Sequence, residues 1–145
     1  MRPRLIVFSF CDYAEFKLVR PLVKCFLQKV LVGQYHMMEV AVNEAVNNAL
    51  RFSEGKPCQL TMDILRGSVL VIRLKHQGLG LATASKRAQD SHKCLEEELW
   101  REGGRGLLIM QAAADCVFYN RQGTEILLAK MLSEPCLSQN DKKIT

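Results

Sequence analysis

Residues 39–53 read EVAVNEAVNNALRFS, and the way this stretch folds decides how the rest is arranged. Met38, Val42, Ala45, Val46 and Ala49 recur at three- and four-residue spacing, which predicts a helix from about Tyr35 to Phe52 with one side turned to a core. The other side carries Glu44, Asn47, Asn48 and Arg51. Glu44 and Asn48 are four apart, as are Asn47 and Arg51, so the polar groups cluster on one face. A merely solvated face is the plain alternative, but Lys, Gln or Glu would serve it better. Asn43, Asn47 and Asn48 are poor helix formers whose side chains compete for backbone hydrogen bonds. A chemical role is therefore favoured. An amide oxygen at Asn48 can complete the shell of a Mg²⁺ that keeps several waters, and a carboxylate at Glu44 can accept a proton from an attacking hydroxyl. Phosphoryl transfer needs little more from a protein than positioning and charge neutralisation.

Upstream, Leu5 to Phe10 is rich in β-branched and aromatic residues and reads as a strand. Asp12 followed by Glu15 resembles a capping box opening a helix along which Phe16, Val19, Val23, Phe26, Leu27 and Val30 recur. Pro21 either kinks this helix or marks its true first turn. Downstream, SEGKP at 53–57 is a turn, and strands over Gln59–Leu65 and Ser68–Lys75 are joined through Arg66-Gly67. Leu60, Met62 and Ile64 alternate with Thr61 and Asp63, which gives that strand one buried face. Residues 78–104 turn polar between glycines, a third helix follows over Gly104–Asp115, and Cys116–Asn120 with Glu125–Lys130 forms a last hairpin. The expectation is an α+β two-layer sandwich: a mostly antiparallel mixed sheet with about three helices on one face. Residues 1–132 form the domain and 133–145 a polar tail.

The bulk properties agree. A chain of 145 residues is long enough for one two-layer core, and no apolar run reaches the length of a bilayer span. The charged Asp12 and Glu15 stand where a cleavable leader would need small residues. Cys11, Cys25, Cys58, Cys94, Cys116 and Cys136 form no C-x-x-C pair, which suits reduced thiols and a cytoplasmic protein without a membrane anchor. The net charge of +5 comes from dispersed residues with no aromatic interleaving, so nucleic acid is not an expected ligand, whereas an acidic protein partner is compatible.

Two glycine sites bracket the polar segment, Gly78-Leu79-Gly80 after a strand and Gly103-Gly104-Arg105-Gly106 before a helix. Either alone is most often a turn. Together they frame a loop whose end offers free amides at a helix start, a natural phosphate cradle. In this order, with Gly123-Thr124 closing the series, the segments resemble the Bergerat ATP-binding fold of histidine-kinase-like ATPases, and most of all the bacterial anti-sigma-factor serine kinases. EVAVNEAVNNALRFS is similar to that family's first box, GRGLLIMQAAADCVFYNRQGTEILLAK to its last, and FSFCDYAEFKLVRPLVKCFL to its opening strand and helix. The resemblance implies Glu44 as catalytic base, Asn48 as Mg²⁺ ligand, and Gly104, Arg105 and Gly106 against the phosphates of ATP, with Arg51, Gly78, Gly80 and Thr124 completing the nucleotide site and the polar loop as its lid. It further implies a homodimer that binds a STAS-domain antagonist, phosphorylates its serine, and holds a sigma factor.

One box departs from the family form D-x-G-x-G: it reads His76-Gln77-Gly78-Leu79-Gly80. A neutral imidazole nitrogen can accept the adenine amino hydrogen bond in place of the aspartate, more weakly and with pH sensitivity. Phe52 stands where many relatives have histidine and alters the floor of the site. The alternative reading is a non-catalytic or nucleotide-switched partner-binding module of the same fold. The catalytic half of a histidine kinase is disfavoured, because the sequence has no separate helix pair carrying a phospho-accepting histidine, and His36 and His92 read as ordinary helix or surface residues.

Overall fold

The strand patterns above become a five-stranded sheet because each strand has one apolar row to bury. The computed structural model describes residues 5–78 and 106–132. In chain order these hold β1 (Ile6–Phe10), α1 (Tyr13–Val30), α2 (Tyr35–Phe52), β2 (Cys58–Leu65), β3 (Val69–His76), a helix α3 over 106–113, β4 (Cys116–Tyr119) and β5 (Glu125–Met131). The strand order is β1-β2-β3-β5-β4. Every pairing among the described residues is antiparallel, so the mixed character expected of the sheet is absent there.

Register lines up one inner face. Phe10 pairs with Cys58 and Cys58 with His76, while Met62 pairs with Ile72 and Ile72 with Leu128. Against this face lie Phe16, Val23 and Leu27 of α1, Met38, Ala41, Val42, Ala45 and Val46 of α2, and Met110 of α3, all in one buried cluster with the sheet. The small Ala41, Ala45 and Ala49 allow α2 to lie close to the sheet; a side chain of leucine size there would hold the layers apart. The sandwich with its helices on one face is thus the observed architecture.

Local signals explain the element ends. The Asp12 carboxylate accepts from the Glu15 amide at 2.8 Å, and Glu15 reaches back to the Cys11 amide at 2.9 Å, so α1 starts at its capping box and not at Pro21. Pro21 sits inside the helix on an exposed position, where water can satisfy the carbonyl left without an amide partner. Arg66 and Gly67 both have positive φ, 52° and 68°, the backbone of a tight hairpin turn whose twist matches the strands it joins. Among the described residues no helix is long and apolar enough to cross a membrane.

Candidate functional site

α2 runs along the inner face with its buried stripe toward β3, which leaves Glu44 and Asn48 half-buried at the margin and Asn47 and Arg51 exposed. The polar face read from the sequence therefore divides in two. Glu44 and Asn48 turn toward α3: a β-carbon placed on Gly106 would lie 3.1 Å from Glu44 Oε2 and 3.8 Å from Asn48 Nδ2. Gly106 itself is buried. Its missing side chain is what keeps the carboxylate and the amide uncovered where α3 meets α2. Neither side chain has a hydrogen-bond partner among the described residues.

On the other side of Asn48 an open, shallow recess extends to the end of the sheet. Ala45, Ala49, Phe52, Leu74 and Ile126 give it apolar walls, and Asn48, His76 and Thr124 bring polar atoms to its edge. A recess of this kind, apolar with a few polar groups at its edge, is the usual lining of a site for an apolar or heterocyclic ligand group. Arg51 does not line it. The walls were not singled out from the sequence apart from Phe52, because alanines and aliphatics on a helix or strand carry no signal that separates a pocket wall from core.

Thr124 is held by its neighbour Asn120. The Asn120 amide oxygen accepts from the backbone amides of Thr124 at 2.9 Å and Glu125 at 3.1 Å, and its Nδ2 donates to Thr124 Oγ1 at 2.9 Å. This side-chain-closed turn presents Gly123 and Thr124 at the recess. Tyr119 packs at its back, where burial pushes the phenol pKa up and keeps it protonated.

His76 and Gly78 play parts other than those expected. Gly78 N–H donates to His76 Nδ1 at 3.2 Å, which requires that nitrogen to be unprotonated. The ring proton is then on Nε2, which donates to the Gly123 carbonyl oxygen at 3.2 Å. The one unprotonated ring nitrogen, which was expected to accept from adenine, thus already accepts from Gly78, and the imidazole serves as a strut between β3 and the β4–β5 turn. Burial lowers its pKa from the usual 6.5, opposed by the bond to Gly123, so the neutral ring is favoured. Gly78 is needed for close approach: a β-carbon there would lie 1.8 Å from the Phe52 carbonyl oxygen and 2.8 Å from Ser53 Cα. Gly80, Gly104 and Arg105, together with the segment read as a lid, lie outside the described residues.

With this geometry the chain matches the family model of the histidine kinase-like ATPase domain over residues 12–130. That span covers most of the sequence, and the chain belongs to this family. Its class is that of ATP-binding domains of the Bergerat fold, to which the five-stranded sheet and one-sided helices conform. No curated protein matches the chain.

Proposed function

We propose that the chain is an ATP-dependent protein-serine/threonine kinase of the anti-sigma-factor type, acting on a serine of a STAS-domain antagonist. The observation that carries the reading is the convergence of Glu44, Asn48 and Gly106, with a recess opening beside Asn48. A structural helix face would bond or cover these groups.

The residues fit Mg-ATP. Asn48 offers one neutral oxygen ligand, appropriate to a Mg²⁺ that takes its remaining ligands from phosphates and water. The space left by Gly106 gives phosphate oxygens room beside it. ATP, when bound, supplies the phosphoryl group. Glu44, half-buried and without a hydrogen-bond partner among the described residues, would accept the proton of a serine hydroxyl as that oxygen attacks. Ala45, Ala49, Phe52 and Ile126, the apolar walls of the recess, would shield the adenine ring from water. A dispersed positive charge assists encounter with an acidic partner, and a homodimer and a bound sigma factor are the assemblies the resemblance suggests.

Calorimetric titration of Mg-ATP, coupled to transfer of labelled phosphate onto STAS-domain proteins, tests the reading. Binding that weakens about tenfold or more in Asn48→Ala, and transfer reduced about a hundredfold or more in Glu44→Gln with nucleotide binding kept, are the expected results. Binding of ATP with equal transfer by the native chain and Glu44→Gln would remove the carboxylate from the chemistry. Binding without any transfer would favour the nucleotide-switched module.

A further inference from the structure

We propose that the outer face of the sheet is where two copies of this chain meet, sheet against sheet, around Val71, Leu127 and Phe118. The inference deepens the homodimer suggested above by naming its interface, rests on that assembly, and does not depend on nucleotide binding.

A sheet with helices on one face and water on the other alternates apolar and polar residues along its strands. β2 obeys: Leu60, Met62 and Ile64 are buried, and Gln59, Thr61 and Asp63 hold the alternate positions. β3 and β5 do not. Residues 69–72 (VLVI) and 126–129 (ILLA) are unbroken apolar runs. Behind the buried Leu70, Ile72, Ile126 and Leu128, the outer positions are therefore Val69, Val71, Leu127 and Ala129. Runs of this kind mark strands covered on both faces.

Register gathers these positions into one area. Val69 pairs with Leu65 and Met131, Ala129 with Val71 and Cys116, and Leu127 with Phe118. Phe118 and Met131 are 60% and 62% exposed. The helices pack into the core on the opposite face, so among the described residues no element covers this one. Its border is polar, with Gln59, Asp63, Lys75 and the Arg73–Glu125 ion pair at 2.9 Å. An apolar centre inside a polar rim is the make-up of a protein–protein interface.

Size and the remaining sequence select a second copy as the occupant. At about 3.3 Å per residue and about 4.8 Å between strands, the five strands make a face of about 500 Å² in plan. Two such faces cover about 1,000 Å² in plan and more as accessible surface, which is what a specific interface needs. The chain's own segments are poorer candidates. Residues 79–105 leave from the recess end of β3 and return to α3 on the helix side. Residues 133–145, SEPCLSQNDKKIT, do start beside Met131, but bring only Leu137 and Ile144 as aliphatic side chains. An apolar sheet face is complementary to itself: a two-fold axis through its middle lays the same rows over one another at the small angle of sheet-on-sheet packing.

The test is sedimentation equilibrium of the full chain without nucleotide, against the double variant Phe118→Asp/Met131→Asp and the control Leu18→Asp. Leu18 is 79% exposed on α1, away from the outer face. The expected native dimer dissociates at about 10 µM or below, and the double variant weakens it about a hundredfold or more, because each change falls twice in a two-fold interface. Leu18→Asp should leave it unchanged. Isotope-filtered NOEs in a mixture of labelled and unlabelled native chain need no variant to fold, and should join outer-face residues of the two copies, the Phe118 ring and the Val71 and Leu127 methyls among them. A native dimer that survives the double variant with such NOEs confined to other surfaces, or one that Leu18→Asp breaks, would overturn the interface and leave the homodimer standing. NOEs within one copy from Leu137 or Ile144 to Phe118 would assign the face to the chain's own tail and overturn the proposal. A native chain that stays monomeric at about 100 µM would overturn the homodimer and the proposal together. Failure to bind Mg-ATP would overturn the nucleotide reading alone.

Discussion

The two ends of the recess are built on opposite principles. Beside the Asn48 end, Glu44 and Asn48 stand half-buried, with no hydrogen-bond partner among the described residues, next to a glycine whose missing side chain leaves room there. At the other, His76, Gly78, Gly123, Thr124 and Asn120 are tied to one another by hydrogen bonds. Unpaired polar groups lower stability and are retained where a ligand completes them; a saturated network adds stability and fixes shape. The contrast separates a part of the molecule that acts from a part that holds.

Two glycines give the sharpest way to break the comparison, because the same substitution should fail differently at each end. In Gly78→Ala the new methyl would meet the Phe52 backbone oxygen at 1.8 Å, and neither backbone segment can give way without disturbing α2 or β3. A loss of about 3 kcal/mol or more in urea unfolding is expected. In Gly106→Ala the nearest atom is the end of the Glu44 side chain at 3.1 Å, which can swing aside. Stability should hold or rise by up to about 1 kcal/mol from the better helix former, while Mg-ATP affinity falls about tenfold as the space beside Asn48 fills. If Gly106→Ala unfolds the chain and leaves affinity per folded molecule unchanged, the open end is structural after all.

The smallest effect concerns pH. The folded chain lowers the His76 pKa by burial, so below 6.5 the unfolded chain binds a proton that the native chain disfavours. Stability therefore rises with pH through the interval between the folded pKa and 6.5, and falls as acid is added. Melting curves of the native chain and His76→Gln across that interval should show a steeper decline on acidification in the native chain. Parallel curves would show that the ring is not held neutral.

Much of this was legible in advance where periodicity or turn chemistry acts within a few residues. The α2 stripe, the alternation in β2, the Asp12–Glu15 box and the Arg66-Gly67 turn are such local signals, and each appears in the fold. The pairing of Glu44 with Asn48 was legible too, since helical spacing puts them on one face. Their separation from Asn47 and Arg51 was not, because which margin of a helix meets a glycine depends on how α3 packs. His76 shows the same limit: its replacement of an aspartate is visible in sequence, but its engagement with Gly123, far along the chain, is a product of strand register.

The sequence by itself determined the element types, the one-sided burial of the sheet, and the candidate pair on α2, because these follow from side-chain period and local backbone chemistry. Only the tertiary structure decided which polar groups remain open and which are spent. A hydrogen bond is allotted among all the partners that packing brings within reach, and β3, the β4–β5 turn and α3 meet only when the sheet closes beneath α2.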